Sequence, residues 1–191
     1  MNLKDQTAIV TGGGRGIGRA IAQSLASAGA RVAVLARSAR EVEATAVLIQ
    51  RSGGTARAFT LDVTDPAAVK KIFAEIERSL GPCDILINNA GDAGQMGPLW
   101  EDDPERWWHT LAINLRGPML CAHAVLPGMV SRRRGYIINV SSGAAYLPMA
   151  HFTPYTVSKA ALVRLSESLA TEAAPYGVKV FPSRPARCVP P

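Results

Sequence analysis

The sequence predicts an α/β domain built on a doubly wound, mainly parallel sheet with helices on both faces. Apolar runs of strand length alternate with helix-length amphipathic segments along the chain, the pattern of βαβ units around a sheet buried on both sides. A glycine-rich turn joins the first such run to the first helical segment. With 191 residues, 48% of them hydrophobic and 19% charged, the chain can bury one core without a second domain.

Thr7 to Val10 predicts the first strand, and Gly16 to Ala28 a helix stopped by Gly29. Arg31 to Ala36 predicts the second strand, Ala39 to Ser52 a helix closed by Gly53 and Gly54, and Thr55 to Asp62 the third strand. Asp65 then offers a cap oxygen to orphan amides, and Pro66 brings the preset φ of a first helical position. A helix therefore runs to Leu80, before Gly81 and Pro82. Asp84 to Asn88 predicts the fourth strand. Beyond it come helices over Pro104 to Leu115 and Pro118 to Ser131, then a fifth strand over Tyr136 to Ser141. A long helix over Pro154 to Ala174 and a sixth strand over Val178 to Phe181 complete the pattern. Right-handed crossovers between parallel strands place a ligand crevice at their carboxyl ends, where the strand order reverses.

Composition argues against several classes. Apolar runs such as Arg31 to Ala36 fall far short of the roughly 20 residues a bilayer span needs, so no membrane segment is expected. Residues 1 to 6 carry no signal-peptide pattern, which makes a cytoplasmic location the expectation. Cys83, Cys121 and Cys188 are odd in number, widely spaced and without any C-x-x-C pairing, against a disulfide framework or a metal site. The net charge of +6 raises nucleic acid as a partner, but the basic run Arg132 to Arg134 has no interleaved aromatics and reads as a solvated loop.

The chemistry begins in Thr11-Gly12-Gly13-Gly14-Arg15-Gly16-Ile17-Gly18, between the first strand and first helix. Glycines there permit positive φ and close approach of backbone to a pyrophosphate, and the helix start offers free amides and partial positive charge. The spacing is G-x-x-x-G-x-G, on Gly12, Gly16 and Gly18. About twenty residues on, an NAD site places a carboxylate against the adenosine ribose. Here Ala36 stands in that position with Arg37 beside it, and Arg37, with Arg15, suits a 2′-phosphate through charge-assisted contacts. NADP(H) rather than NAD(H) is the expected cofactor.

These motifs, in this order, resemble the classical short-chain dehydrogenase/reductase family, whose Rossmann fold the resemblance extends over Leu3 to Val180. The resemblance implies that Asp62 and Val63 contact adenine, and that Asn89, Ala90 and Gly91 lie beside the adenosine ribose, with Asn88 steadying the sheet. Tyr155-Thr-Val-Ser-Lys159 supplies the implied chemistry, with Thr153 and Pro154 expected to open its helix and the spacing of four setting both groups on one face. A phenol with an ordinary pKa of about 10 is a poor base, and a nearby ammonium favours its phenolate. Lys159 is implied to supply that charge and to bind the nicotinamide ribose. Ser142, thirteen residues before Tyr155, matches the serine that holds the substrate oxygen, a role its neighbour Ser141 does not share at that separation. Asn114 is implied to support a proton relay from Lys159, and Trp107 reads as core.

The resemblance also implies a small-molecule carbonyl or alcohol substrate and homo-oligomers, with 3-oxoacyl-acyl carrier protein reductases as the nearest kind. His151, near Tyr155, reads as a loop residue. After Val180 the sequence departs from the family. Pro185-Ala186 replaces an expected Pro-Gly, and the prolines of the 181–191 tail fit neither a helix nor a central strand, so an irregular tail is expected. The substrate-covering loop and last strand are then missing, as truncation or a reading-frame shift near Phe181 would leave them. The alternative reading is thus a catalytically weak or inactive nucleotide-binding remnant, with residues 1–180 forming the domain.

Overall fold

The computed structural model describes residues 2–183. Six strands form one sheet in the order β3-β2-β1-β4-β5-β6, and all five strand pairings are parallel. They are β1 (Thr7–Thr11), β2 (Arg31–Ala36), β3 (Thr55–Thr60), β4 (Cys83–Asn88), β5 (Gly135–Asn139) and β6 (Val178–Pro182). The order reverses between β1 and β4, which sets the crevice of a doubly wound Rossmann sheet there.

Helices α1 (Gly16–Ser27) and α2 (Ala39–Arg51) accompany the core on one face, where Ala22, Val42 and Ile49 meet Val10, Val32 and Val34 of the sheet. On the other face, α3 (Pro66–Leu80) and α5 (Gly117–Arg132) bring Phe73, Ile76 and Met129 against Ile9, Leu86 and Ile137. The side chains alternate across the strands, so β1, β2 and β4 feed both cores, while edge strand β6 buries Val178 and Val180 on one side and exposes Lys179 and Phe181 on the other. Asp65 caps α3 as its sequence implies, accepting from the amides of Ala67 and Ala68 at 2.9 and 3.0 Å.

Two boundaries differ from expectation for physical reasons. Helix α4 (Pro104–Leu111) does not continue regularly to Leu115; it passes into a π-helical stretch over Ala112–Arg116 before α5. Strand β6 continues through Phe181 and Pro182, which pair with Ile138 and Asn139, so these two residues are not irregular. The Ser183 amide donates to the Asn139 carbonyl at 2.8 Å. Alternation then turns the Pro182 nitrogen toward the open edge, where a missing N–H costs no ladder bond. Residues 184–191, with Cys188, Pro185 and Ala186, lie outside the described residues.

The basic run is exposed at Arg133 and Arg134, as a solvated loop would be, and it makes specific contacts as well. Arg132 donates to the Cys83 carbonyl, Arg133 to the Pro175 carbonyl, each at 2.8 Å, and Arg134 sits 3.5 Å from the Asp84 carboxylate. These arginines tie the end of α5 to β4 and to the approach of β6 while Arg133 and Arg134 stay exposed, so the loop is both solvated and anchored. Among the described residues no helix is long and apolar enough to cross a membrane, and no cluster of three His, Cys, Asp or Glu could hold a metal ion.

Candidate active site

A cleft of about 630 Å³ opens at the reversal point of the sheet. Gly12, Arg15, Gly16, Ile17 and Gly18 line it from the turn after β1, and Ala36 and Arg37 from the end of β2. Asp62 and Val63 line it after β3, and Asn89, Ala90 and Gly91 after β4. A second cavity, about 520 Å³ between α3 and α5, contains none of the residues implicated by the sequence.

The glycines are required by contact as well as by torsion. Gly12 has φ +64°, and a Cβ on Gly18 would overlap the Gly12 carbonyl oxygen. Arg15 precedes α1 in an extended conformation and the helix start has no side-chain cap, leaving first-turn amides for an anion. This space and these donors fit a dinucleotide's pyrophosphate. Thr11, expected at the cofactor, has another place: it is buried, and its hydroxyl accepts from the amides of Asn89 and Ala90 at 3.0 Å each. It joins the turn after β1 to the turn after β4. Asn89 returns the contact, donating through Nδ2 to the carbonyls of Thr11 and Gly12 at 3.0 and 3.2 Å.

Two residues not singled out from the sequence hold the same turn. Arg19 Nε and the Thr45 hydroxyl each donate to the Gly14 carbonyl at 3.1 Å, and Arg19 Nε also reaches Thr45 Oγ1 at 3.0 Å. No sequence pattern marks them, because Thr45 reaches Gly14 only when α2 packs beside α1. Asp62 is set by its neighbour Thr64, whose amide and hydroxyl donate to Oδ1 at 2.9 and 2.8 Å. Burial raises the Asp62 pKa, but the two Thr64 hydrogen bonds and the charges of Arg37 and His109 outweigh it and hold the carboxyl below its ordinary value.

At Gly91 the cleft meets the residues of the implied chemistry. A Cβ placed on Gly91 would lie 3.3 Å from Asn114 Oδ1 and 3.8 Å from Lys159 Nζ. Asn114 lies fully buried within the π-helical stretch, a distortion frequent where a helix must present a functional side chain. Its Oδ1 accepts from the Asp92 amide at 2.8 Å. Its Nδ2 donates to the Asp92 carbonyl at 2.7 Å and to Ser158 Oγ at 2.9 Å. Ser158 in turn donates to the Tyr155 carbonyl at 2.8 Å, so one amide braces the loop after β4 against the helix that carries Tyr155.

That helix is α6 (Thr153–Ala173). Tyr155 and Lys159 share one face, with the ammonium 5.7 Å from the phenol ring centre. Lys159 is only 5% exposed and donates to the Val140 carbonyl, just past β5, at 2.8 Å. Burial pulls its pKa down from 10.5 to about 8. Thr153 does not cap the helix: Phe152 holds that position, and the Thr153 hydroxyl accepts the Trp107 indole N–H at 3.0 Å. Trp107 is thus half-buried and anchors the start of α6, a role beyond core filling. Ser142 lies in the loop after β5 and accepts from the Ala144 amide at 3.2 Å, while the neighbouring Ser141 hydroxyl is buried without a partner. His151 is exposed, in left-handed backbone at φ +66°.

Among the described residues the thiols offer no competing chemistry. Cys83 and Cys121 are buried and unbridged, and burial raises both pKa values, that of Cys121 to about 12. What the geometry assembles is a phenol and a buried ammonium at the end of a dinucleotide-sized cleft, an arrangement suited to proton transfer beside a bound nicotinamide.

Comparison with known proteins places the arrangement in a family. A short chain dehydrogenase of Pseudocercospora fijiensis is 44% identical over 186 residues, covering 96% of this chain and 60% of that protein. A crystal structure of a metagenomic short-chain oxidoreductase in complex with NADP superposes with TM-score 0.93 at 38% identity, covering 96% of this chain and 83% of that one. NAD+-bound xylitol dehydrogenase superposes at 0.92 with 30% identity, covering 95% of this chain and 70% of that one. The likeness to 3-oxoacyl-acyl carrier protein reductases is loose by comparison. The chain therefore spans about three fifths of the length of the fungal relative. The family profile described as short chain dehydrogenase matches residues 6–188, and the chain belongs to that family.

Proposed function

We propose that the protein is an oxidoreductase that uses NADP(H) to interconvert a small-molecule carbonyl and its secondary alcohol. The observation that carries this reading is the placement of Tyr155 and buried Lys159 on one helical face, where Gly91 ends the cleft lined by the glycine turn. Arg15 and Arg37 in that cleft, with Ala36 in place of a carboxylate, support the 2′-phosphorylated cofactor, as does the relative in complex with NADP. The NAD+-bound relative shows that the fold accommodates either nucleotide.

A bound nicotinamide supplies or accepts the hydride. The protein's part is to place the carbonyl and move a proton. In the reductive direction the Tyr155 hydroxyl protonates the oxygen as negative charge develops on it, and the Ser142 hydroxyl donates to the same oxygen. Lys159, largely protonated at neutral pH with its pKa near 8, keeps positive charge beside the phenol. Asn114, bonded to Asp92 and Ser158, keeps the turn of α6 below Tyr155 in register with the loop after β4.

Tyr155→Phe tests the proposal. NADPH oxidation against a carbonyl panel should fall by at least about 10³-fold, within the range of a lost general acid–base group, while NADPH affinity measured by fluorescence stays within a factor of about three. Equal turnover in the two proteins would refute the assignment.

A further inference from the structure

We infer that the substrate is an apolar, uncharged carbonyl compound and that the site discriminates against carboxylate- or phosphate-bearing ones; the inference rests on the oxidoreductase reading above. Two segments flank Tyr155. The first follows β4 and runs over residues 92–103; the second follows β5 and runs over residues 141–152. They are joined to each other, since the Gly97 amide donates to the His151 carbonyl at 3.1 Å. Each is also joined to the region of Tyr155: a Cβ on Gly94 would sit 3.0 Å from the Pro154 ring, and the Phe152 carbonyl accepts from the Thr156 amide at 2.9 Å.

Large apolar side chains stand exposed on both segments. Met96, Leu99 and Trp100 on the first, and Tyr146, Leu147 and Met149 on the second, are each 43% to 84% exposed. Scattered single apolar residues on a surface need no explanation, but six on two segments that are bonded to each other and joined to the start of α6 concentrate apolar surface near Tyr155, which favours an apolar ligand.

Charge points the same way. The chain carries a net +6, yet neither segment contains a lysine or arginine. The carboxylates in them are Asp92, Glu101, Asp102 and Asp103. Asp92 accepts from the Gly94 amide and the Thr110 hydroxyl and Asp103 from the Glu105 amide, so these carboxylates brace the wall and give it negative charge. An anionic substituent would lose water against apolar side chains and find no cation on either segment to replace it. Arg15 and Arg37 lie at the opposite end of the cleft, with the glycine turn, and Lys159, the cation at the Tyr155 end, is buried against the Val140 carbonyl.

The test uses the full chain with NADP(H) and a pair of substrates that differ in charge at one position, 4-methylacetophenone and 4-acetylbenzoate at pH 7. Reduction is followed as NADPH oxidation. Binding of each compound to the protein–NADP+ complex is measured by calorimetry, so the answer does not depend on turnover. The neutral ketone should bind at least tenfold more tightly, and its kcat/KM should exceed that of the carboxylate by the same factor or more. Leu147→Lys should narrow the binding ratio at least threefold by favouring the carboxylate. Equal or tighter binding of 4-acetylbenzoate by the wild type would overturn the inference, as would a ratio unmoved by Leu147→Lys. Preferential binding of the neutral ketone without turnover would support the inference while refuting the oxidoreductase reading.

Discussion

Lys159 makes a prediction that can be read without any substrate. The side chain is 5% exposed and its pKa falls from 10.5 to about 8 because burial disfavours its charge. The folded protein therefore binds fewer protons than the unfolded chain between pH 8 and 10.5, so stability rises with pH across that window. The gap corresponds to about 3 kcal/mol, present as a penalty at pH 7 and relieved as the pH climbs. Between pH 7 and 9 the group should return a little over 1 kcal/mol, and between pH 7 and 10 about 2 kcal/mol. Lys159→Met removes the penalty at every pH and leaves the Val140 carbonyl without its donor, which costs about 1–3 kcal/mol. The two effects nearly offset at pH 7, so the variant should be folded and close to wild type in stability while losing turnover. Urea unfolding followed by tryptophan fluorescence at pH 7, 9 and 10, at constant ionic strength, gives the free energies for both proteins. The wild type minus variant difference should grow more favourable with pH by the amounts above. If the two proteins show the same pH dependence, the lysine is not held as an uncomfortable buried charge, and the argument for its electrostatic role fails.

Other outcomes follow from the same geometry. Gly18→Ala places a Cβ in the Gly12 carbonyl and against the Asn89 amide, so it should destabilise the protein by about 1–3 kcal/mol and weaken NADPH binding at least tenfold, measured by thermal unfolding and fluorescence titration. Ala36→Asp should move relative catalytic efficiency toward NADH, checked by steady-state rates with both cofactors; an unchanged ratio would count against the 2′-phosphate assignment. The lowered Asp62 pKa gives stability that is present above the ordinary carboxylate value and lost as pH falls through the folded value. Asp62→Asn should therefore flatten the acid limb of a Tm-against-pH curve, leaving the neutral region with only the lost hydrogen bonding to Thr64. Asn139 accepts from Asn88 and donates to Ser166, each at 2.8 Å inside the core, so Asn139→Leu should cost about 2–3 kcal/mol in urea unfolding by stranding both partners.

The features legible before folding were those with local causes. The glycine turn, the Asp65–Pro66 start of α3, the stop at Gly29 and the apolar strands each need only a few neighbouring residues to be recognised, and each appears in the structure within a residue or two of its expected place. The order of motifs was enough for family and fold, because the glycine turn, Asn88 to Gly91 and the Tyr155–Lys159 pair follow β1, β4 and β5 in turn. Less could be read where a residue's role depends on a distant partner. Asn114 was singled out by resemblance, but its helix was expected to be regular, and nothing in residues 104–115 signals the π-helical turn that the Asp92 and Ser158 contacts accompany.

The same division separates several other residues. Arg19 and Thr45 look like ordinary helix positions until α2 is laid beside α1 and both reach one carbonyl. Arg132 to Arg134 look like a solvated run, and Arg133 and Arg134 are exposed, but their anchoring contacts arise only when the end of α5 meets β4 and the chain entering β6. Pro182 looks like a strand breaker until it falls on the edge strand of the described sheet, with its missing N–H turned away from β5. Helix and strand periodicity, caps and turn torsions are short-range effects and were written in the order of residues. Hydrogen-bond partners 19 to 78 positions away, and the burial that depresses the Lys159 pKa, exist only after the sheet has brought those positions together, because desolvation and directional bonding depend on distance in space and not along the chain.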